Sequence, residues 1–285
     1  MKTIQWFPGH MTKAMRMMEE ALPAADGIIY VLDARCPAAS FNPKLLKMAK
    51  SKPVLYVLNK SDLADGRTDG LAKIMAGENG SAVKINAANA SSKKIILSAL
   101  DKLVAEKRER NLQKGYNKTF RFMVVGVPNT GKSTVINLLA GAKRAVTGDK
   151  AGVTRGKQWI RLDGFELLDT PGTMPPAFEN QRLALHLAYV GSINDDILDL
   201  DDVALALLEE LYSKYPDRLK ERYGISGGTP LEMLECVAKK RGFILRGGEY
   251  DYERAERAVI DDFRKGRLGA ITLDTAEDLR GCFNG

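Results

Sequence analysis

Cysteine is scarce: Cys36, Cys236 and Cys282 are the only three among 285 residues, far apart and with no C-x-x-C pairing. An odd, dispersed set excludes a disulfide framework and a cysteine metal knot, and reads as reduced thiols. Long apolar runs are missing as well. Stretches such as residues 27–32 fall far short of the roughly 20 residues that span a bilayer. The opening Met1-Lys2-Thr3-Ile4-Gln5-Trp6-Phe7-Pro8 has neither the apolar core of a signal peptide nor the Arg/Ser-rich character of a transit peptide. A cytoplasmic location is therefore expected. Lipidation signals and basic amphipathic membrane helices are lacking too, so no membrane partner is expected.

What is present fits a soluble α/β protein with a smaller second domain: 45% hydrophobic and 28% charged residues, 26 Gly and 11 Pro. The net charge of +7 is unevenly spread. Residues 1–180 hold 28 Lys+Arg against 16 Asp+Glu (+12), and 181–285 hold 15 against 20 (−5). A basic N-terminal two-thirds points to a polyanionic partner, with RNA rather than DNA expected.

Strand-like runs occur at 28–34, 54–60, 82–87, 120–127, 158–162 and 165–169, several of them almost wholly apolar. Such runs suit strands covered on both faces. Helical patterns separate them at 12–21, 43–51, 68–76, 93–110 and 133–140. This alternation predicts a doubly wound, mostly parallel six-stranded sheet within residues 1–178. Beyond Pro175-Pro176 the pattern becomes amphipathic helix only, at 182–193, 201–215, 230–241 and 252–267. A small all-helical domain is expected over 179–285, with Thr229-Pro230 as an N-cap and first helical position.

Gly126-Val127-Pro128-Asn129-Thr130-Gly131-Lys132-Ser133 fits G-x-x-x-x-G-K-[ST], with a strand entering and a helix leaving. Backbone N–H groups of such a loop wrap phosphate oxygens. The expected contacts are Asn129, Thr130, Gly131, Lys132, Ser133 and Thr134. Lys132 would bridge the terminal phosphates, and the Ser133 hydroxyl would bind Mg²⁺.

Asn59-Lys60-Ser61-Asp62 ends another apolar strand and matches N-K-x-D. Guanine offers two donors on one edge, N1–H and the exocyclic amine, which one carboxylate can accept together. Asp62 supplies that carboxylate, Asn59 ties the loop, and the Lys60 stem lies along the ring. Adenine would leave Asp62 unpaired, a logic that can discriminate by roughly 10⁴-fold. GTP and GDP are thus the expected ligands. Asn86-Ala87-Ala88 is the candidate third guanine contact; an ordinary strand-ending turn is the alternative.

Asp169-Thr170-Pro171-Gly172 matches D-x-x-G, with Asp169 expected near Mg²⁺ and the Gly172 amide near the γ-phosphate. Thr154, in Gly152-Val153-Thr154, is the candidate switch threonine that completes the Mg²⁺ shell. The residues after Gly172 are Thr173 and Met174, neither of which orients an attacking water as a glutamine does, so slow intrinsic hydrolysis is expected. His10 is one of only two histidines; a histidine satisfied by local hydrogen bonds is the alternative to a functional one. His186, inside an apolar helical pattern, reads as a packing residue.

The order N-K-x-D, phosphate loop, G-x-T, D-x-x-G is a permutation of the order in ordinary GTPase domains. With Trp6-Phe7-Pro8-Gly9-His10-Met11, Asp33-Ala34-Arg35-Cys36-Pro37 and the helical tail, the chain resembles the circularly permuted P-loop GTPases of the ribosome biogenesis GTPase A family. The resemblance implies binding to the maturing large ribosomal subunit, stimulation of hydrolysis by the ribosome, and rRNA contact by the C-terminal helices. It also implies that His10 replaces the missing glutamine and that Asn129 brings K⁺ as a further cation. An RNA-binding scaffold that holds GTP as a structural ligand is the alternative function.

Overall fold

A computed structural model describes residue 4 and residues 9–49, 52–77, 80–141, 159–175 and 178–284, the side chains of His10, Ala49 and Asn284 excepted. The chain divides into two compact units, residues 5–177 with Thr272–Gly285, and Phe178–Ile271 with the first four residues.

Six strands build the sheet of the first unit: β1 (Gly27–Asp33), β2 (Val54–Asn59), β3 (Gly80–Lys84), β4 (Phe120–Val125), β5 (Trp159–Arg161) and β6 (Phe165–Asp169). Their order is β3-β2-β1-β4-β6-β5, and every pairing is parallel except β5 with β6. The expected α/β sheet is therefore present, and the apolar runs explain it. All residues of β1 and β2 are buried, so each strand needs cover on both faces.

Side-chain alternation divides these strands between two cores. Ile28, Tyr30 and Leu32 join one core with Tyr56, Leu58, Met123 and Leu168; Ile29 and Val31 join the other with Leu55, Val57, Phe122 and Leu167. The first core is covered by α1 (Gly9–Ala21), through Ala14, Met18 and Ala21, and by α3 (Thr68–Gly77), through Leu71 and Met75. The second is covered by α4 (Ser92–Gln113), through Ile96, Leu100 and Val104, and by α5 (Lys132–Ala140), through Val135, Ile136 and Leu139. Between β1 and β2 lies the short α2 (Pro43–Ala49). Helix α4 and the segment after it run from β3 into β4, the join that a permuted order requires.

The helical unit contains α6 (Gln181–Tyr189), α7 (Leu200–Lys214), α8 (Pro216–Tyr223), α9 (Pro230–Arg241) and α10 (Tyr252–Arg264). Thr229 and Glu232 cap α9 reciprocally, with Pro230 in its first turn. Helix α8 was not expected: its sequence is largely charged, and only Leu219 and Tyr223 are buried. Asp262 is fully buried on α10 and accepts hydrogen bonds from Arg222, Tyr223 and Arg267. His186 is buried as expected, with Nε2 2.9 Å from Glu210.

The tail corrects the reading that assigned everything after residue 178 to the helical domain. Thr272–Gly285 groups with the sheet unit, and its helix α11 (Ala276–Asn284) was also unexpected. Leu279 is fully buried in the first core, and the Phe283 ring meets Phe41 edge-on with centroids 5.1 Å apart. The Leu273 N–H donates to the Arg35 carbonyl at 2.8 Å, and Asp274 Oδ2 accepts the Ala39 N–H at 2.9 Å. Leu279→Ala is expected to destabilise the sheet unit by about 2–4 kcal/mol, lowering the urea midpoint of its unfolding transition. An unchanged midpoint would mean that the tail contributes nothing to this core.

Candidate nucleotide site

The motifs meet at the carboxyl ends of the parallel strands, around β1. That strand lies between β2, which leads into N-K-x-D, and β4, which leads into the phosphate loop. The chain leaves β1 for one side of the sheet and reaches β4 on the other, and a crevice at such a switch point is where open α/β sheets take ligands.

The loop between β4 and α5 is tightly wound. Gly126 has φ 151°, and a Cβ there would come 2.3 Å from the Val31 carbonyl oxygen. Asn129 (φ 60°) and Gly131 (φ 91°) are left-handed, which turns the loop back on itself before α5 begins at Lys132. Its interior is held by the Thr130 hydroxyl donating to the Val127 carbonyl at 3.1 Å. The Lys132 ammonium donates to the same carbonyl at 2.8 Å. Ser133 is half-buried and Thr134 exposed in the first turn of α5. Such a loop, with a helix N-terminus behind it, can cradle phosphate oxygens.

Asn59 joins three separated motifs. Its Nδ2 donates to the Thr130 carbonyl at 2.9 Å, and its Oδ1 accepts the Ala87 N–H at 3.0 Å. A Cβ on Gly131 would lie 2.3 Å from the same Nδ2. Asn86 closes its own turn by accepting the Ala88 N–H at 2.9 Å. The Lys60 ammonium donates to the Asn129 carbonyl at 2.7 Å. Asp62 is exposed in the short 3-10 turn that follows, so its carboxylate is open to a ligand.

Asp169 pairs in register with Val124, beside the entry to the phosphate loop. Burial is the main influence on its carboxyl and raises the pKa to about 6, against the opposing charge of Lys132 and a hydrogen bond from Ser133. Its Oδ1 is buried without a hydrogen-bond partner. An orphaned carboxylate oxygen next to a hydroxyl is a hard donor set that can receive Mg²⁺. Burial likewise lowers Lys132 to about 8, opposed by Asp169 and assisted by Lys60. Gly172 runs close against the phosphate loop: a Cβ would be 2.7 Å from the Pro128 nitrogen and 3.0 Å from Lys132 Nζ. Thr154 lies outside the described residues, as does the His10 side chain. Met11, next to His10, is fully buried, and its Sδ accepts the Met174 N–H at 3.5 Å.

The family model described as 50S ribosome-binding GTPase matches residues 121–222. Ribosome biogenesis GTPase A of Bacillus cereus is 42% identical over 281 residues, covering 97% of this chain and 95% of the relative. The chain belongs to the ribosome biogenesis GTPase A family. The relative in Priestia megaterium is 40% identical over 95% of this chain and 96% of its own length. The GNP-bound crystal structure of YlqF from T. maritima superposes with a TM-score of 0.65 at 26% identity, covering 93% of this chain and 99% of that one. Membership makes the chain a GTPase of the permuted P-loop fold that binds GTP and GDP. The family-model match starts at β4 and leaves out Asn59–Asp62, as the permuted order dictates.

The sequence motif around Asp33 and Arg35 gives these two residues no nucleotide role of their own. Both are buried beside Lys60. The signal that could have found them is a carboxylate ending an otherwise uncharged strand, with an arginine two residues on.

In the nucleotide-free protein Asp169 is expected to oppose folding once it ionises. Its folded pKa lies above the ordinary value of 3.8, so the folded state holds the proton more tightly and stability falls as pH rises from about 4 to 6. Asp169→Asn should remove that slope and raise stability at pH 7.5 by roughly 1–3 kcal/mol, while impairing GTP hydrolysis. A chemical denaturation series across pH would count against this if the variant kept the wild-type slope.

Proposed function

We propose that this GTPase is a cytoplasmic switch in late assembly of the large ribosomal subunit, binding the precursor particle and its rRNA, with hydrolysis stimulated by the ribosome. The observation that carries the reading is that Asn59 ties N-K-x-D to the phosphate loop and to the turn at Ala87, in a chain whose relatives, matched over nearly their whole length, are named for ribosome biogenesis.

In this reading Asp62 accepts the two guanine donors, Asn59 and the Lys60 stem frame the base, and the backbone of Asn86, Ala87 and Ala88 faces the guanine carbonyl. The loop amides from Asn129 to Thr134 hold the phosphates, and Lys132 leaves the Val127 carbonyl to bridge the β- and γ-phosphates. Ser133, Thr154 and Asp169 would hold Mg²⁺, which when bound would offset charge on the transferring phosphoryl group. Asn129 is the candidate K⁺ contact. The Gly172 amide meets the γ-phosphate, so hydrolysis releases the segment that leads to the helical unit. His10 orients the attacking water. The contact between Met11 and Met174 supports that role, because it brings the start of α1 to the residues directly after D-x-x-G. The helical unit and the basic residues of the sheet unit carry the RNA contacts.

GTP turnover by the wild type and by His10→Ala, each alone and with purified large ribosomal subunits, tests the reading. The expected result is strong stimulation of the wild type and a loss of about 10²-fold in the stimulated rate of the variant. No stimulation in either protein would favour an RNA-bound scaffold that keeps GTP as a structural ligand.

A further inference from the structure

The motif Asp33-Ala34-Arg35-Cys36-Pro37 belongs to none of the nucleotide elements, yet its first and third residues lie at the centre of the site. Register explains how. Asp33 ends β1 directly opposite Asn59 at the end of β2, one residue before Lys60. The Lys60 ammonium donates to Asp33 Oδ2 at 2.9 Å and to the Asn129 carbonyl of the phosphate loop at 2.7 Å. Arg35 folds back on the same carboxylate, donating from Nε to Oδ1 at 3.0 Å and from Nη2 to Oδ2 at 2.9 Å. Asp33 is fully buried and Arg35 is 2% exposed. Burial alone would push the Asp33 carboxyl up; the neighbouring Arg35 and Lys60 charges reverse this and hold it well below the usual carboxylate range.

Two backbone observations give the cluster a direction. Among the described residues, Lys60 (φ 58°) and Asn129 (φ 60°) are the only non-glycine residues in the left-handed region. A left-handed backbone costs a side-chain-bearing residue free energy, and it persists where the surroundings over-determine it. Here the same ammonium spans both strained residues, and Asp33 holds that ammonium. An ion pair between Asp33 and Arg35 alone would be weak evidence of anything beyond structure; the reach to Lys60 and Asn129 is what ties it to the ligand.

We infer that Asp33 and Arg35 are positioning residues for guanine-nucleotide binding: Asp33 fixes the Lys60 ammonium between the base loop and the phosphate loop, and Arg35 fixes Asp33. The pair touches no reacting atom. It sets the separation of the elements that grip the guanine and the phosphates, so its loss weakens GDP and GTP alike and leaves the hydrolytic step nearly unchanged. The inference rests on the nucleotide site described above.

The test is binding of GDP by titration calorimetry, together with KM and kcat for GTP, in Asp33→Asn, Asp33→Glu, Lys60→Met and the double variant Asp33→Asn/Lys60→Met. Leu100→Ala, in the core under α4, controls for loss of stability alone. Asp33→Asn is expected to weaken GDP about tenfold or more, the scale for breaking a buried charge-assisted bond, and to raise KM similarly with kcat within about twofold of the wild type. Asp33→Glu should recover part of the loss. The double variant should bind no more weakly than Lys60→Met, because the two changes remove one interaction. Leu100→Ala should keep wild-type affinity at a lowered Tm. Should Asp33→Asn fail to fold, Asp33→Glu and Arg35→Lys take its place, with a raised KM at preserved kcat still expected. Wild-type affinity in a folded Asp33→Asn, or additive losses in the double variant, would overturn the inference. Failure of the wild type itself to bind GDP would overturn the nucleotide-site reading and this inference with it.

Discussion

The carboxamide of Asn59 is the interaction on which the site depends. One end of it donates to the Thr130 carbonyl and the other accepts the Ala87 N–H, so three segments from distant parts of the chain share one small planar group. A carboxamide can do this because it carries a donor and an acceptor fixed in one plane. Apolar isosteres would leave the Thr130 and Ala87 groups without their partner in a buried place, at a cost of about 1–3 kcal/mol each. Gly131 belongs to the same arrangement, because any side chain there would collide with Asn59. The permuted order of the motifs is tolerable for the same reason. The contacts are made between strand ends that the sheet already aligns, and they do not depend on which end the chain reaches first.

The charges of the site fall into two kinds. Those around Asp33 are matched: a buried carboxylate faces a guanidinium and an ammonium, and burial is more than offset. Those around Asp169 and Lys132 are not. Burial displaces both from their ordinary values, and one oxygen of Asp169 has no partner. Unmet electrostatic demand of this sort is characteristic of sites that receive charged ligands. The satisfied cluster keeps the scaffold in shape, while the unsatisfied one favours a charged ligand such as the nucleotide phosphates.

The sheet was legible because strands buried on both faces are written as nearly continuous apolar runs, and 27–33 and 54–59 are such runs. The phosphate loop and N-K-x-D were legible because left-handed turns and close backbone approaches demand glycine and asparagine at set spacings. Helix α8 was not, since a charged segment with only Leu219 and Tyr223 buried carries almost no periodic signal. Helix α11 was missed for a different reason. Its pattern is short, and nothing local says that Leu279 joins the first core or that the Phe283 ring meets Phe41 and Tyr56 from the far end of the chain.

From its residues alone this protein was determined to be a permuted α/β GTPase: periodicity sets which faces are buried, and the chemistry of guanine and phosphate sets which residue types must stand at which spacing. Tertiary structure decided what no spacing could express. It brought Asp33 opposite Asn59 by strand register, carried Lys60 across to Asn129, and returned Thr272–Gly285 to the sheet unit. Those outcomes depend on long-range pairing between segments far apart in sequence. A local pattern records the preference of a segment for a conformation, but not the partner against which that conformation is satisfied.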